Sequence, residues 1–166
     1  GHQGNTGSGG GTGAQGASGS TGPTLKPASA SGGGGLLTTN TSYQNVVNVT
    51  ITPTQSNSHM MIIATGTVGG EEGNNQNNSG NGTAQITRDT TQLGDAVASS
   101  GSGGHNTRFD QVLIDTNNHG GSAVTYRIRL AKGGGNQAHG YLGGVRSSNG
   151  SNYSGSARLL ILELLQ

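Results

Sequence analysis

The chain has 166 residues, of which only 28% are hydrophobic, 9% are charged and 34 are glycine. Ordinary globular domains are about 45–50% apolar with glycine counted and about 25% charged. Here glycine, which has no side chain to bury, makes up much of the apolar share, so we expect other copies to supply the missing burial. The net charge of +1 and the scattered basic residues argue against a nucleic-acid partner. The lack of cysteine excludes disulfides and thiolate metal sites. The lack of a long apolar run argues against membrane insertion.

The N-terminal segment 1–24 follows a three-residue frame, GHQ GNT GSG GGT GAQ GAS GST GPT. Glycine opens all eight triplets: Gly1, Gly4, Gly7, Gly10, Gly13, Gly16, Gly19 and Gly22. A collagen triple helix requires this pattern because only glycine fits at the axis where three chains meet. The segment therefore predicts a collagen-like stalk, about 70 Å long at roughly 3 Å per residue. A flexible linker and a packed array of polyglycine-like extended helices remain open as alternatives.

The proline content of this stalk is low, since Pro23 is its one imino acid. A triple helix so short and so poor in proline needs a trimeric domain beside it to hold the chains together. The stretch GTGAQG at 11–16 matches a dinucleotide-binding fingerprint, but that motif requires a preceding strand and a following helix. Neither a preceding strand nor a following helix is predicted here, and the triplet frame explains the glycines of this stretch. We therefore do not predict a nucleotide-binding site. Residues 25–35 are predicted to be a Gly-rich hinge that leads into a β domain at 36–166.

Short apolar segments alternate with turn-rich connections from Leu36 onward. In VVNVTIT the apolar residues Val47, Val49 and Ile51 alternate with polar ones, and TYRIRLAK shows the same period of two, which is typical of half-buried strands. The run MMIIA suits a strand covered on both faces, and ARLLILELL is interpreted as a strand rather than a short helix. The predicted strands are Leu36–Thr39, Val46–Thr52, His59–Val68, Ala84–Asp89, Phe109–Asp115, Ala123–Ala131, Tyr141–Arg146 and Ala157–Leu164.

These segments predict an all-β, antiparallel jelly-roll sandwich of about eight strands. The last strand is apolar on both faces, so one face can fill the interior while the other needs cover. A neighbouring subunit would supply that cover, and an internal loop is the alternative.

Catalytic, cofactor-binding and metal-binding residues are not predicted. Glu71 and Glu72 are adjacent and would diverge on a strand, and no nucleophile motif surrounds any serine. The five histidines, at 2, 59, 105, 119 and 139, lack ligand spacing. His105, His119 and His139 lie in or beside loops. In a three-fold symmetric assembly one of them could bind an ion on the axis, but the ordinary interpretation is that they are exposed loop histidines. Arg127, Arg129 and Lys132 are interpreted as a solvated strand face.

Several segments carry a resemblance to a known family. They are Tyr43 before VVNVTIT, SHMMIIATGTV, TAQITRD with TQLGD, FDQVLIDT, AVTYRIRLAK and SARLLILELL, in which Glu163 is flanked by aliphatic residues. Residues 43–165 resemble the C-terminal tumour-necrosis-factor-like jelly-roll modules of bacteriophage fibre and decoration proteins, and the glycine triplets resemble their collagen-like stalks.

The resemblance implies a homotrimeric, non-enzymatic component of the virion surface, either a tail fibre or a capsid decoration protein. Its implied partners are its own copies, other capsid or tail proteins, and a host-surface glycan or protein for adsorption. The loops Gly69–Gly82 and Ser147–Gly155 would then be variable outer contacts. A bacterial surface or spore filament with the same architecture is the alternative, and a glycan depolymerase is a third hypothesis.

Overall fold

The computed structural model describes the β region and short parts of the N-terminal segment. The described residues are 1–4, 11, 13–16, 24–28, 36–71, 81–94, 97–98, 106–117, 119–133, 139–142, 145–146, 153–154 and 157–165. All regular secondary structure in these residues is β-strand, and the strands pair antiparallel. No helix among them is long and apolar enough to cross a membrane.

The first sheet, sheet A, is built around the long strand β4. Its strands are β1 (Thr24–Ala28), β2 (Leu36–Thr38), β4 (His59–Glu71), β8 (Asn106–Asp115), β10 (His139–Leu142) and β13 (Arg158–Leu165). β8 pairs along one edge of β4, whereas β13 and then β10 pair along the other. β1 extends the sheet beyond β13, and β2 extends it beyond β10.

The second sheet, sheet B, has the order β3-β9-β5, with β6 and β7 on the free edge of β5. Its strands are β3 (Gln44–Ile51), β5 (Gly82–Arg88), β6 (Thr91–Gln92), β7 (Val97–Ala98) and β9 (Val124–Lys132). A separate two-stranded sheet joins β11 (Val145–Arg146) to β12 (Tyr153–Ser154).

The hydrophobic core forms from alternate residues of both sheets. Successive side chains of a strand point to opposite faces, and one row of each main strand is buried. The buried apolar residues of the core cluster are Val47, Val49, Met60, Ile62, Ala64, Val68, Ala84, Ile86, Phe109, Val124, Tyr126, Ile128, Leu130, Ala157, Leu159 and Ile161. The architecture is all-β and antiparallel, compatible with a β-sandwich.

The predicted strands from Leu36 onward are found, with ends shifted by a few residues. ARLLILELL is a strand, as predicted, and Tyr126, Ile128 and Leu130 form the buried row of TYRIRLAK. The strand predicted at Tyr141–Arg146 is divided between β10 and β11, which belong to different sheets. The two-residue strands β6, β7 and β12 were not predicted, because so short a segment shows no periodicity.

The N-terminal boundary of the β region differs from the prediction. Residues Thr24–Ala28, placed at the end of the stalk and the start of the hinge, form β1 and pair with β13 from Thr24↔Leu165 to Ala28↔Ile161. A strand is favoured there because it pairs with the backbone of β13, a partner distant in sequence. Pro27 fits, since a proline is tolerated on an edge strand. The rest of the predicted hinge, 29–35, lies outside the described residues.

Candidate functional site

The outer face of sheet A carries two rows of apolar side chains across three strands. Met60, Ile62 and Ala64 of β4 are buried in the core, so the residues between them point outward. Strand register places each outward residue of β4 between one of β13 and one of β8. The two rows are Leu162–Met61–Ile114 and Leu160–Ile63–Val112, and these six side chains are called the apolar face below.

Solvent reaches this apolar face in the single chain. The side chains of Val112 and Ile114 are 63% and 48% exposed, and those of β4 and β13 are half-buried. Directly opposed side chains lie about 5 Å apart, so the six residues form one continuous patch. Contiguous apolar patches on protein surfaces often coincide with contact sites, so this face is a candidate for one.

Sheet B shows the usual arrangement on its outer face. There Asn48 and Thr50 of β3 are exposed, and they pair with Arg127 and Thr125 of β9. Antiparallel sheets commonly bury one face and solvate the other. Sheet A departs from that rule, which makes its outer face the strongest candidate for a functional surface.

A buried carboxylate, Asp115, links the two sheets at the end of β8. Its oxygens accept hydrogen bonds from Arg88 Nη1 at 2.8 and 3.0 Å and from the Tyr126 hydroxyl at 2.9 Å. Arg88 and Tyr126 belong to sheet B, so this charge-assisted group joins sheet A to sheet B. Burial, reinforced by the hydrogen bond to Asp115, raises the pKa of Tyr126 well above its ordinary value. The hydroxyl therefore stays protonated and donates.

His119 belongs to the same cluster, which corrects its interpretation as an exposed loop histidine. Its side chain is 3% exposed, and its Nε2 lies 3.5 Å from the Tyr126 hydroxyl and 3.6 Å from Asp115 Oδ2. The ring therefore packs inward, where Tyr126 and Asp115 are the polar partners that a buried imidazole needs. Within the described residues, no group of three or more His, Cys, Asp or Glu side chains could hold a metal ion. His105 lies outside them, and His139 begins β10.

A second buried carboxylate, Glu163, holds the connection between β3 and β4. The side chain is 1% exposed and lies in the inward row of β13 beside Met60. Its oxygens accept the Thr54 amide at 2.5 Å, the Thr54 hydroxyl at 2.8 Å and the Gln55 amide at 3.4 Å. Burial alone would raise the pKa of Glu163, but the hydrogen bonds that the carboxylate accepts, among them those from Thr54 and Gln55, outweigh it and lower the pKa below its ordinary value.

The alternation in FDQVLIDT contains a signal for the first cluster. Phe109, Gln111, Leu113 and Asp115 share one side of β8, so an ionisable group falls in an inward row. A buried carboxylate requires partners, although the sequence does not say which residues supply them. Asp115, Tyr126 and His119 are buried and Arg88 is nearly so, and their contacts join the two sheets.

The predicted stalk glycines are described in part. Gly1, Gly4, Gly13 and Gly16, together with the out-of-phase Gly11, lie in exposed, irregular segments. A Cβ atom added at any of these five would meet nothing within 4 Å. Packing within one chain therefore does not require glycine at these positions. Gly7, Gly10, Gly19 and Gly22 lie outside the described residues.

The other sequence candidates are not brought together into a site. Glu71 ends β4, and Glu72 lies outside the described residues, as does most of both predicted contact loops. Arg127, Arg129 and Lys132 are half-buried rather than simply solvated. Arg127 donates to the Asp89 carbonyl at 2.6 Å, and Arg129 donates to the Tyr43 carbonyl at 3.1 Å.

Comparison of the sequence with protein-family models and with curated proteins finds no match. The functional argument therefore depends on this chain's own residues and their arrangement.

The lowered pKa of Glu163 leads to a prediction about stability and pH. The favourable contribution of this carboxylate is present above its unfolded pKa and is lost as the pH falls through the lower folded value. We expect Glu163→Gln to reduce the free energy of unfolding by about 1–3 kcal/mol at pH 7. The gap to wild type should narrow as the pH falls from about 4.3, the ordinary glutamate pKa, through the lower folded pKa of Glu163.

Urea unfolding at pH 7 and pH 3, at one protein concentration, measures both effects. Asp110→Asn is the matched control, because Asp110 is an exposed carboxylate whose pairing contributes little. A gap for Glu163→Gln that is equally large at both pH values would contradict the assigned charge-dependent role.

Proposed function

We propose that this chain is a homotrimeric, non-enzymatic structural protein of a phage virion, displayed on the particle surface as a fibre or decoration protein. The observation that carries this proposal is the apolar face on sheet A, reached directly from the glycine triplets through β1. The resemblance of residues 43–165 to phage jelly-roll modules adds the virion context.

The apolar face supports self-association because its six side chains are only partly removed from water in one copy. Each side chain of Leu, Ile, Val or Met contributes about 1.5–3 kcal/mol when it is fully removed from water. In a single copy the six residues of the face remain partly exposed to water, so they contribute only part of that free energy. A second and third copy of the same face would use it.

The position of β1 links this face to the glycine triplets. β1 follows the triplet segment and pairs with β13, which contributes Leu160 and Leu162 to the apolar face. Three chains joined through a triple helix would therefore enter their β regions beside sheet A. The open space around Gly13 and Gly16 in one chain fits glycines whose close neighbours belong to other chains.

Strand order supports the jelly-roll part of the proposal. In sheet A the order is β1-β13-β4, continued by β8, and in sheet B it is β3-β9-β5, continued by β6 and β7. The main strands β3, β4, β5, β8, β9 and β13 thus alternate between the two sheets along the chain. Such alternation of the main strands is compatible with a double-sheet jelly roll.

The trimer leads to a prediction for a charge placed on the apolar face. Wild type should give a mass of about 49 kDa by light scattering, three times 16.4 kDa. Val112→Arg should shift the mass toward 16.4 kDa, because an unpaired charge would be buried between copies. Val112 is 63% exposed in one chain, so the variant is expected to fold.

Thr50→Arg is the matched control, since Thr50 is exposed on the outer face of sheet B. It should keep the wild-type mass. A monomeric wild type would overturn the trimer, and a trimeric Val112→Arg would exclude the apolar face as its interface.

The stalk leads to a prediction that separates its three interpretations. Gly13 is in phase with the triplets and Gly11 is not, yet a Cβ at either meets nothing within 4 Å. In a triple helix, Gly13→Ala should lower the melting temperature of the stalk, whereas Gly11→Ala should leave it nearly unchanged. Circular dichroism of the extended backbone during heating measures both. A flexible linker would respond to neither substitution, and a packed polyglycine-like array would respond to both.

The virion assignment is tested by the protein composition of purified particles. Mass spectrometry should find peptides of this chain in phage particles purified from a lysate of its host, and antibody labelling should place it on their outer surface. Its detection only on bacterial cells or spores would contradict the phage assignment and leave the trimer prediction standing.

A further inference from the structure

The outer face of sheet A ends in a polar cleft beyond the two apolar rows. The cleft is lined by Thr65, Gly66 and Thr67 of β4 with Arg108 and Arg158, and its volume is about 330 Å³. That volume is at the low end of the range for small-ligand sites. Hydroxyl and guanidinium groups in one cleft are hydrogen-bond donors suited to an anionic group.

Strand register brings the two arginines toward each other from opposite sides. Arg158 of β13 pairs with Thr65, and Arg108 of β8 pairs with Thr67. Strands are spaced at about 4.8 Å, with about 3.4 Å per residue, so the two arginine Cα atoms lie about 12 Å apart across β4. Both long side chains can therefore reach one group held above Thr65 and Thr67.

The charges in this cleft do not cancel. Arg108 is engaged by Asp110, with Nε 2.8 Å from Oδ2, and both side chains are largely exposed. Arg158 is exposed and forms no ion pair with any described residue. Arg108 and Arg158 against Asp110 leave a local charge of one positive unit.

We propose that this cleft binds a single oxyanion group, the carboxylate or sulfate ester of an acidic polysaccharide. Arg158 supplies the planar, two-pronged donor that matches such a group, and the threonine hydroxyls complete the hydrogen bonds. Two arginines beside one aspartate do not form the row of cations that a phosphate backbone requires. The polysaccharide source rests on the proposed role in host adsorption, whereas the oxyanion site rests on the cleft alone.

The position of the cleft fits contact with an outer surface. The chain enters sheet A at Thr24, opposite Leu165, and Arg158 is at the other end of β13. Seven residue steps of about 3.4 Å separate these ends by about 24 Å. The cleft therefore lies toward the end of sheet A that is far from the point where the glycine triplets join the β region.

Titration of the full chain with dextran sulfate, followed by calorimetry at low salt, tests the proposal. Arg158→Ala should weaken binding by about tenfold or more, because it removes charge-assisted hydrogen bonds. Arg158→Lys should give an intermediate loss, since it keeps the charge without the planar fork. Asp110→Asn should tighten binding a few-fold by releasing Arg108.

Lys132→Ala is the matched control, because it removes one positive charge from β9 in sheet B. Equal losses for Arg158→Ala and Lys132→Ala would overturn the site, since both would then reflect net charge alone. No binding by wild type would overturn it as well.

Two further ligands separate the sources of the oxyanion. Uncharged dextran should not bind, and inorganic sulfate should bind the same residues more weakly than the polymer. Sulfate binding without any gain from the polymer would overturn the polysaccharide assignment. Each mixture is also examined by light scattering, so that a monomer with an Arg158-dependent site would refute the trimer and retain the cleft.

Discussion

Removal of apolar side chains from water is the constraint on which the rest of this structure depends. In a chain with 28% hydrophobic residues, the buried apolar side chains lie in two inward rows, one from each sheet, and these form the core. The same residue types also occupy the outward rows of β4, β8 and β13. In one copy the apolar residues on the outer face of sheet A are exposed or half-buried, and this asymmetry between the sheets leads to the proposal of a trimer. Sheet B, with Asn48 and Thr50 on its outer face, shows that the chain can make a solvated face where it needs one.

Two buried carboxylates add directional contacts to the apolar layers. Asp115 joins the end of β8 to Arg88 and Tyr126 in sheet B, and Glu163 holds the β3–β4 connection against β13. Hydrophobic burial is non-directional, whereas each carboxylate is satisfied in only one arrangement of its donors. Loss of those donors would leave a buried charge without partners, at a cost of several kcal/mol. These two groups therefore favour one register and one connection over other compact arrangements.

Local periodicity predicted the strands well, because burial of alternate residues produces an alternating apolar pattern within each segment. VVNVTIT and TYRIRLAK each showed the row that the core buries. The doubly apolar MMIIA and ARLLILELL also indicated a second surface in need of cover. Pairing between distant segments produces no such pattern in the sequence. Thr54 is 109 residues from Glu163, and the pairing of β1 with β13 joins the two ends of the described β region. For the same reason the cleft between Arg108 and Arg158 could not be predicted, since the two arginines meet only through the register of β4.

The pairing of β1 with β13 also has a mechanical consequence. Hydrogen bonds of an antiparallel pair run perpendicular to the strands, and five residue pairs join these two strands, from Thr24↔Leu165 to Ala28↔Ile161. Tension applied to the N-terminal segment along the strand direction would load all five pairs at once, in shear, rather than open them one after another. Force entering at Thr24 would then pass through β13 into β4, the centre of sheet A. The force needed to pull β1 away from β13 along the strand direction would therefore depend on the number of residue pairs that join the two strands.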